Sequence, residues 1–273
     1  MKKTKTFILF TLLTSVFCLV SCGNYPIGDP NQKNIDGRLA TSVGVYRPEQ
    51  AIFYLRSTNT AGPPDFTVAF GAKGDLPVVG DWDGNGNFTV GVYRPDQVAF
   101  FLRNSNTGGN ADITVPYGAK GDLPMVGDWD GDGKWTIGVY RPSQATFSLR
   151  NSNTSGNGDI TVAYGEKGDI PLVGDWDGDG KWTVGVYRPR QQVFYLRNSN
   201  TAGLPDLTIQ FGATGDLPVA GDWDGDGRWT VGVFRPSNGT FYLSNDNQTG
   251  KVDTNFAFGK AGDLPVVGRW LRR

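Results

Sequence analysis

The feature that most constrains this chain is a repeat of fixed length. GDLP, or GDIP in one copy, begins at Gly74, Gly121, Gly168, Gly215 and Gly262, so every step is 47 residues. VYRP, or VFRP in one copy, begins at Val45, Val92, Val139, Val186 and Val233 on the same step. An aromatic–glycine pair keeps time with both, at Phe70-Gly71, Tyr117-Gly118, Tyr164-Gly165, Phe211-Gly212 and Phe258-Gly259. Such a chain builds one supersecondary unit several times and buries its core by stacking the copies.

Each period holds four short strand-like runs separated by turn residues. In the second unit they read LPVVGDW, TVGVYRP, QVAFFLRN and DITVPYG. The last alternates, with Ile113, Val115 and Tyr117 on one face and Thr114 and Pro116 on the other, as a half-buried strand does. Pro116 has no ladder donor, which puts this strand at an edge. The run before it sets Phe100 and Leu102 on one face and Ala99 and Phe101 on the other, and is expected to be buried on both sides. Helical periodicity is missing beyond the N-terminal segment.

Four antiparallel strands per 40–50 residues, repeated, point to a β-propeller. An open β-solenoid is the rival, but its repeats are usually shorter. The degenerate ends set the blade number. Residues 34–39, NIDGRL, stand where a first strand and its loop should be, and residues 264–271 form a first strand with no blade of their own. Joining them gives five copies of every strand. The expected fold is all-β: a five-bladed propeller of 47-residue repeats, four antiparallel strands per blade, closed by the C-terminal strand completing the first blade.

The N-terminus reads as an address. MKKTKT is a short basic region, and FILFTLLTSVFCLV is an apolar run too short to span a membrane. It leads into LVSC, which resembles the bacterial lipobox and implies that Cys22 is lipidated; an ordinary secretory signal is the alternative. Two or three acyl chains hold stably, since each buried methylene adds about 0.8 kcal/mol. The division is then a signal peptide at 1–21, a lipidated tether at 22–33 and the propeller at 34–273. The expected location is the bacterial cell envelope, lipid-anchored at the outer membrane or cell surface, with Gly23 after Cys22 giving no aspartate-type retention signal.

Cys18 leaves with the signal, so the mature domain has no disulfide. Loss of Lys2, Lys3 and Lys5 takes the formal charge from −1 to −4, which is no nucleic-acid binder's balance. Histidine is absent, which excludes His-based triads and His-ligated zinc. Acidic residues total 27, yet only Glu49 and Glu166 are glutamates.

Most of the aspartates are copies. A loop of the form DWDGDGKWT begins at Asp81, Asp128, Asp175 and Asp222. An EF-hand-type loop surrounds Ca²⁺ with side chains at positions one, three, five and nine and the carbonyl of position seven, and keeps glycine at position six. Here those places are Asp81, Asp83, Asn85, Asn87 and Thr89; Asp128, Asp130, Asp132, Lys134 and Thr136; Asp175, Asp177, Asp179, Lys181 and Thr183; and Asp222, Asp224, Asp226, Arg228 and Thr230. Asn87, Lys134, Lys181 and Arg228 would act through the backbone carbonyl. Hard oxygen ligands suit Ca²⁺, giving up to four structural sites. A metal-free hairpin held by Asx turns is the alternative.

The stretch PLVGDWDGDGKWTVGVYRP, with YGEKGD shortly before it, resembles the FG-GAP/VCBS type of repeat found in integrin-like propellers. The resemblance runs from about Asn34 to the end. It implies that each loop joins the first and second strands of a blade and holds one Ca²⁺, and that the protein binds or adheres. The family commonly has aspartate at position nine, where this chain has threonine. That lowers the expected affinity to about 10⁻⁴–10⁻³ M, with the Asn85 loop weakest.

Catalysis is not expected, and no catalytic residue is assigned. Glycosidase carboxylates need unlike environments, whereas these recur as equal copies. The expected ligand is a glycan bound at several equivalent sites; the alternative is a protein partner on one asymmetric patch. Trp82, Trp129, Trp176, Trp223 and Trp270 are candidates for stacking on sugar rings, and so are Trp135, Trp182 and Trp229, with core packing as the competing role for both sets. The repeated Arg47, Arg94, Arg141, Arg188 and Arg235 are expected to pair with nearby aspartates.

Overall fold

A computed structural model describes residues 40–270. The signal and tether segments, Cys22, residues 34–39 and Leu271 lie outside the described residues. Among those described there is no helix, and twenty strands form five four-stranded antiparallel sheets. The first sheet holds β1 (Ser42–Arg47), β2 (Ile52–Leu55) and β3 (Phe66–Ala69). The second holds β4 (Leu76–Gly80), β5 (Thr89–Arg94), β6 (Ala99–Leu102) and β7 (Ile113–Pro116). The third holds β8 (Leu123–Gly127), β9 (Thr136–Arg141), β10 (Thr146–Leu149) and β11 (Ile160–Ala163). The fourth holds β12 (Ile170–Gly174), β13 (Thr183–Arg188), β14 (Val193–Leu196) and β15 (Leu207–Gln210). The fifth holds β16 (Leu217–Gly221), β17 (Thr230–Arg235), β18 (Thr240–Leu243) and β19 (Thr254–Ala257). The last strand, β20 (Leu264–Gly268), returns to the first sheet beside β1.

That return closes the ring. Val43 pairs with Val267 and Tyr46 with Leu264, and Trp270 Nε1 donates to the Val43 carbonyl at 3.3 Å. Arg47 Nε and Nη2 donate to the two Asp263 oxygens at 2.8 and 2.9 Å. The same bidentate pair recurs within the other blades as Arg94–Asp75, Arg141–Asp122, Arg188–Asp169 and Arg235–Asp216. The fork of a guanidinium matches a carboxylate, so the arginines do pair with aspartates as expected. The closure thus uses the bond that holds every other first strand to its second.

The innermost strands β4, β8, β12, β16 and β20 contact one another in a closed cycle. A ring of backbone bonds joins the blades beside it. Trp135, Trp182 and Trp229 N–H donate to the carbonyls of Asp81, Asp128 and Asp175 at 2.9, 2.9 and 2.8 Å. Thr41 N–H donates to the Asp222 carbonyl at 2.7 Å and Phe88 N–H to that of Arg269 at 3.4 Å. Position eight of each loop therefore ties its blade to position one of the preceding loop.

Burial follows the pleat. The second strand of every blade is buried on both faces, and the glycine at its third position allows it: a Cβ on Gly91 would lie 2.9 Å from Leu102 Cδ2. In β7 Val115 is buried while Thr114 and Pro116 are exposed, and this strand is the edge. In β6 Ala99, Phe100 and Leu102 are buried, but Phe101 is only half-buried. The Arg94 guanidinium covers its ring at 4.5 Å. Burial of β6 on both sides is thereby corrected for Phe101.

Candidate metal centres

The acidic loops join the first and second strands of blades 2 to 5. Glycine at positions four and six adopts positive φ, +78° at Gly131 and +88° at Gly133, which a side chain would resist. These turns fold the backbone amides over the first aspartate. Asp128 accepts from the N–H groups of Gly131, Asp132 and Gly133 at 2.8, 3.0 and 2.9 Å. Asp175 accepts from Gly178 and Gly180, and Asp81 from Asn85 and Gly86. Position five accepts the position-seven amide at 2.8 Å in all four loops, through Asn85, Asp132, Asp179 and Asp226.

The first aspartate is buried in each loop, whereas position three is exposed in all four. Burial lifts the carboxyls of Asp81 and Asp128 above the usual aspartate range. It carries Asp175 and Asp222 up to about 6, against the pull of backbone amides at Asp175 and chiefly of the Arg269 guanidinium at Asp222. Neighbouring carboxylates push in the same direction as burial at both.

The donor set fits a hard cation. In the loops beginning at Asp128, Asp175 and Asp222, the three carboxylates each offer an oxygen, all within 4.8 Å of one another. Asp222 is fully buried and its Oδ1 has no hydrogen-bond partner, a costly state that a cation would relieve. In the loop beginning at Asp81, Asn85 Nδ2 donates to Asp83 Oδ2 at 3.0 Å, so one carboxylate is replaced by a donor.

The position-nine threonines stand at the neck of each hairpin and are buried. The Thr89 and Thr136 hydroxyls donate to the strand-end carbonyls of Gly80 and Gly127 at 3.3 Å, whereas those of Thr183 and Thr230 have their nearest acceptors in the carbonyls of Arg197 and Ser244, at 2.7 and 2.6 Å. At position seven the side chains cross between loops: a Cβ on Gly84 would lie 3.0 Å from Lys134 Cγ, and those on Gly131 and Gly178 would meet Lys181 and Arg228. The loop of blade 5 instead meets Arg269, whose Nη2 is 3.5 Å from Asp222 Oδ2. Arg269 occupies the place where a fifth loop would begin.

The five position-two tryptophans are not surface platforms. Trp82, Trp129, Trp176, Trp223 and Trp270 are only 1–4% exposed. Each ring folds back over the glycine before the loop, so that a Cβ on Gly127 would lie 2.7 Å from the Trp129 ring. The expectation that these rings offer stacking faces is corrected: glycine opens a slot at the strand end, and the indole fills it. The position-eight rings converge on the axis, with Trp135, Trp182 and Trp229 at centroid separations of 5.1–5.8 Å and Phe88 4.7 Å from Trp135. Phe88 was not singled out in the sequence, although the 47-residue step puts it in this set. The axial cavity above them is about 180 Å³, and Val78, Val126, Leu172 and Val266 line it.

The polar NSNT turns are held internally. Arg103 donates to the carbonyls of Thr107, Gly108 and Asn110, Asp112 caps the Asn104 amide, and Asn106 Nδ2 reaches the Phe88 carbonyl at 2.9 Å. Arg56, Arg150 and Arg197 repeat the arrangement.

No protein-family model and no curated protein matches the chain. Among solved structures, it is similar to BBS1N crystallised in complex with ARL6DN, at 10% identity and a TM-score of 0.38, over 67% of this chain and 57% of that one. The chain thus spans little more than half of that protein's length. It is also similar to an Agrocybe aegerita lectin described as recognising non-reducing terminal N-acetylglucosamine, at 15% identity and a TM-score of 0.41, over 80% of this chain and 76% of that one. Neither likeness is near enough to transfer a site.

Proposed function

We propose that this is a non-enzymatic, calcium-stabilised propeller of the FG-GAP/VCBS type, lipid-anchored at Cys22 on a bacterial surface, that binds glycans. The observation carrying the reading is the copying of one geometry around a closed ring. Loops and blade interfaces that recur with local differences suit a ligand that is itself repetitive, and weak like sites on one rigid disc gain avidity together. The carboxylates at positions one, three and five would hold Ca²⁺, which supplies charge neutralisation and cross-linking of the hairpin. Asp128, Asp175 and Asp222 would stay ionised beside it, and the hairpins would set the edges of the blades. The apolar lining of the axial cavity supports a role in binding over one in hydrolysis.

A second reading is a protein-binding scaffold using one asymmetric patch. Leu204 favours it, being 85% exposed on a loop of blade 4. A glycan array probed with the purified chain in millimolar calcium, and again with chelator, separates the two. Binding to a defined sugar class is expected, weakened by chelation. A blank array with folded protein would move the assignment to a protein partner.

A further inference from the structure

Two cavities of nearly equal size lie between blades, of about 420 Å³ between blades 3 and 4 and about 410 Å³ between blades 5 and 1. They are the same place in the repeat. Every residue lining the second has its counterpart, at a whole number of 47-residue steps, lining the first. One wall is the end of the outermost strand of one blade. The other is the face of the next blade, where Arg47 and Tyr54 in one groove match Arg188 and Tyr195 in the other. Pro64 and Pro205 complete the lips.

Only these two following blades combine the tyrosine with a particular turn. TAGPPD and TAGLPD precede the fourth strands of blades 1 and 4, while the other blades read TGGNAD, TSGNGD and QTGKVD. Blade 5 keeps Tyr242 but has Val252 in place of the proline. Between blades 2 and 3 the tyrosine is replaced by Ser148, and the Tyr117 hydroxyl lies 2.9 Å from its Oγ across the interface.

We propose that these twin grooves are the glycan sites, and that each takes one neutral sugar residue. The inference rests on the glycan reading above and goes beyond it in naming the place, the number and the ligand class. The size lies within the range of small-molecule sites, about 300–1,000 Å³. The tyrosine ring is held in place by the guanidinium above it, at 4.4 Å for Arg47 on Tyr54 and 4.8 Å for Arg188 on Tyr195. Its hydroxyl is fixed on Gln50 or Gln191 at 3.0 and 2.9 Å. An anchored ring beside proline offers an apolar face for sugar C–H groups, and the polar side chains around it can meet hydroxyls. The guanidinium that both grooves share is already paired with a buried aspartate, Asp263 for Arg47 and Asp169 for Arg188, and the remaining charge differs in sign, with Glu166 lining one groove and Lys260 the other. A ligand common to both is therefore neutral where those residues approach it. Two sites rather than five make the disc bivalent.

The test is equilibrium dialysis of the chain, at saturation, against methyl glycosides of glucose, galactose, mannose and their N-acetylhexosamines. Two equivalents bound per chain are expected for at least one of them. Tyr54→Ala and Tyr195→Ala should each leave one equivalent and the double variant none, while Tyr242→Ala should leave two. Pro64→Glu and Pro205→Glu, which alter only the lips, serve as the second pair should a tyrosine variant fail to fold. Undiminished binding by the double variants would overturn the grooves and leave the glycan reading standing. A folded wild type that binds none of the sugars would overturn both.

Discussion

Asp222→Asn is the substitution that tests the acidic loops most directly. In the calcium-free protein, burial carries the Asp222 carboxyl from 3.8 up to about 6, even with the Arg269 guanidinium 3.5 Å away. The folded state therefore holds a proton that the unfolded chain would already have released. A raised carboxylate contributes stability that is fully present below about pH 4 and is lost as the pH rises through about 6. Roughly two pH units at 1.36 kcal/mol each make this a penalty of about 3 kcal/mol at pH 7. The substituted amide cannot ionise, and its oxygen can still accept from the Gly227 N–H, as Asp222 does at 3.2 Å. Urea melts in chelator should then show the variant close to wild type at pH 4 and up to about 3 kcal/mol more stable at pH 7. Calcium should reverse the order, since a ligand at 100 times its Kd adds about 2.7 kcal/mol to the wild type and less to the variant. A variant less stable than wild type at pH 7 in chelator would refute the reasoning, because it would mean that the carboxylate is satisfied without metal.

Other expectations follow from the packing. Trp176→Ala, which empties the slot over Gly174, should cost about 3–5 kcal/mol in a denaturant melt. Gly127→Ala places a methyl group 2.7 Å from the Trp129 ring and should cost about 1–3 kcal/mol by thermal or urea unfolding. Asp263→Ala removes the buried partner of Arg47 at the ring closure and should cost about 3–5 kcal/mol, read as a lower urea midpoint. Calcium affinity measured by titration calorimetry should rise between pH 5 and 7, because the ion competes with the proton on Asp175.

The fold was legible in the sequence because its signals are local and repeated. The alternation in DITVPYG, the prolines that mark edges and the loop glycines each constrain a few neighbouring residues, and the 47-residue step multiplied them. Blade number and closure followed from the orphan run 264–271, and Arg47–Asp263 shows that closure chemically. The acidic loops were legible as clusters for the same reason.

What the sequence could not place were side chains whose neighbours come from another blade or another face. Trp129 and Trp135 flank one loop, and nothing nearby says that one turns back over Gly127 while the other reaches the axis. That Thr136 stands opposite Gly127 at the neck of the hairpin is set by the strand register, which the loop sequence does not show. The twin grooves are made by residues far apart in the chain, such as Val45 and Phe258.

Sequence by itself determined the strand pattern, the number of blades and the clustering of the loop carboxylates, because each depends on residues a few positions apart. Only the tertiary structure decided which aromatic rings are buried and where two blades leave room for a ligand. Those outcomes depend on closing the ring, which brings the edge of one sheet onto the face of the next.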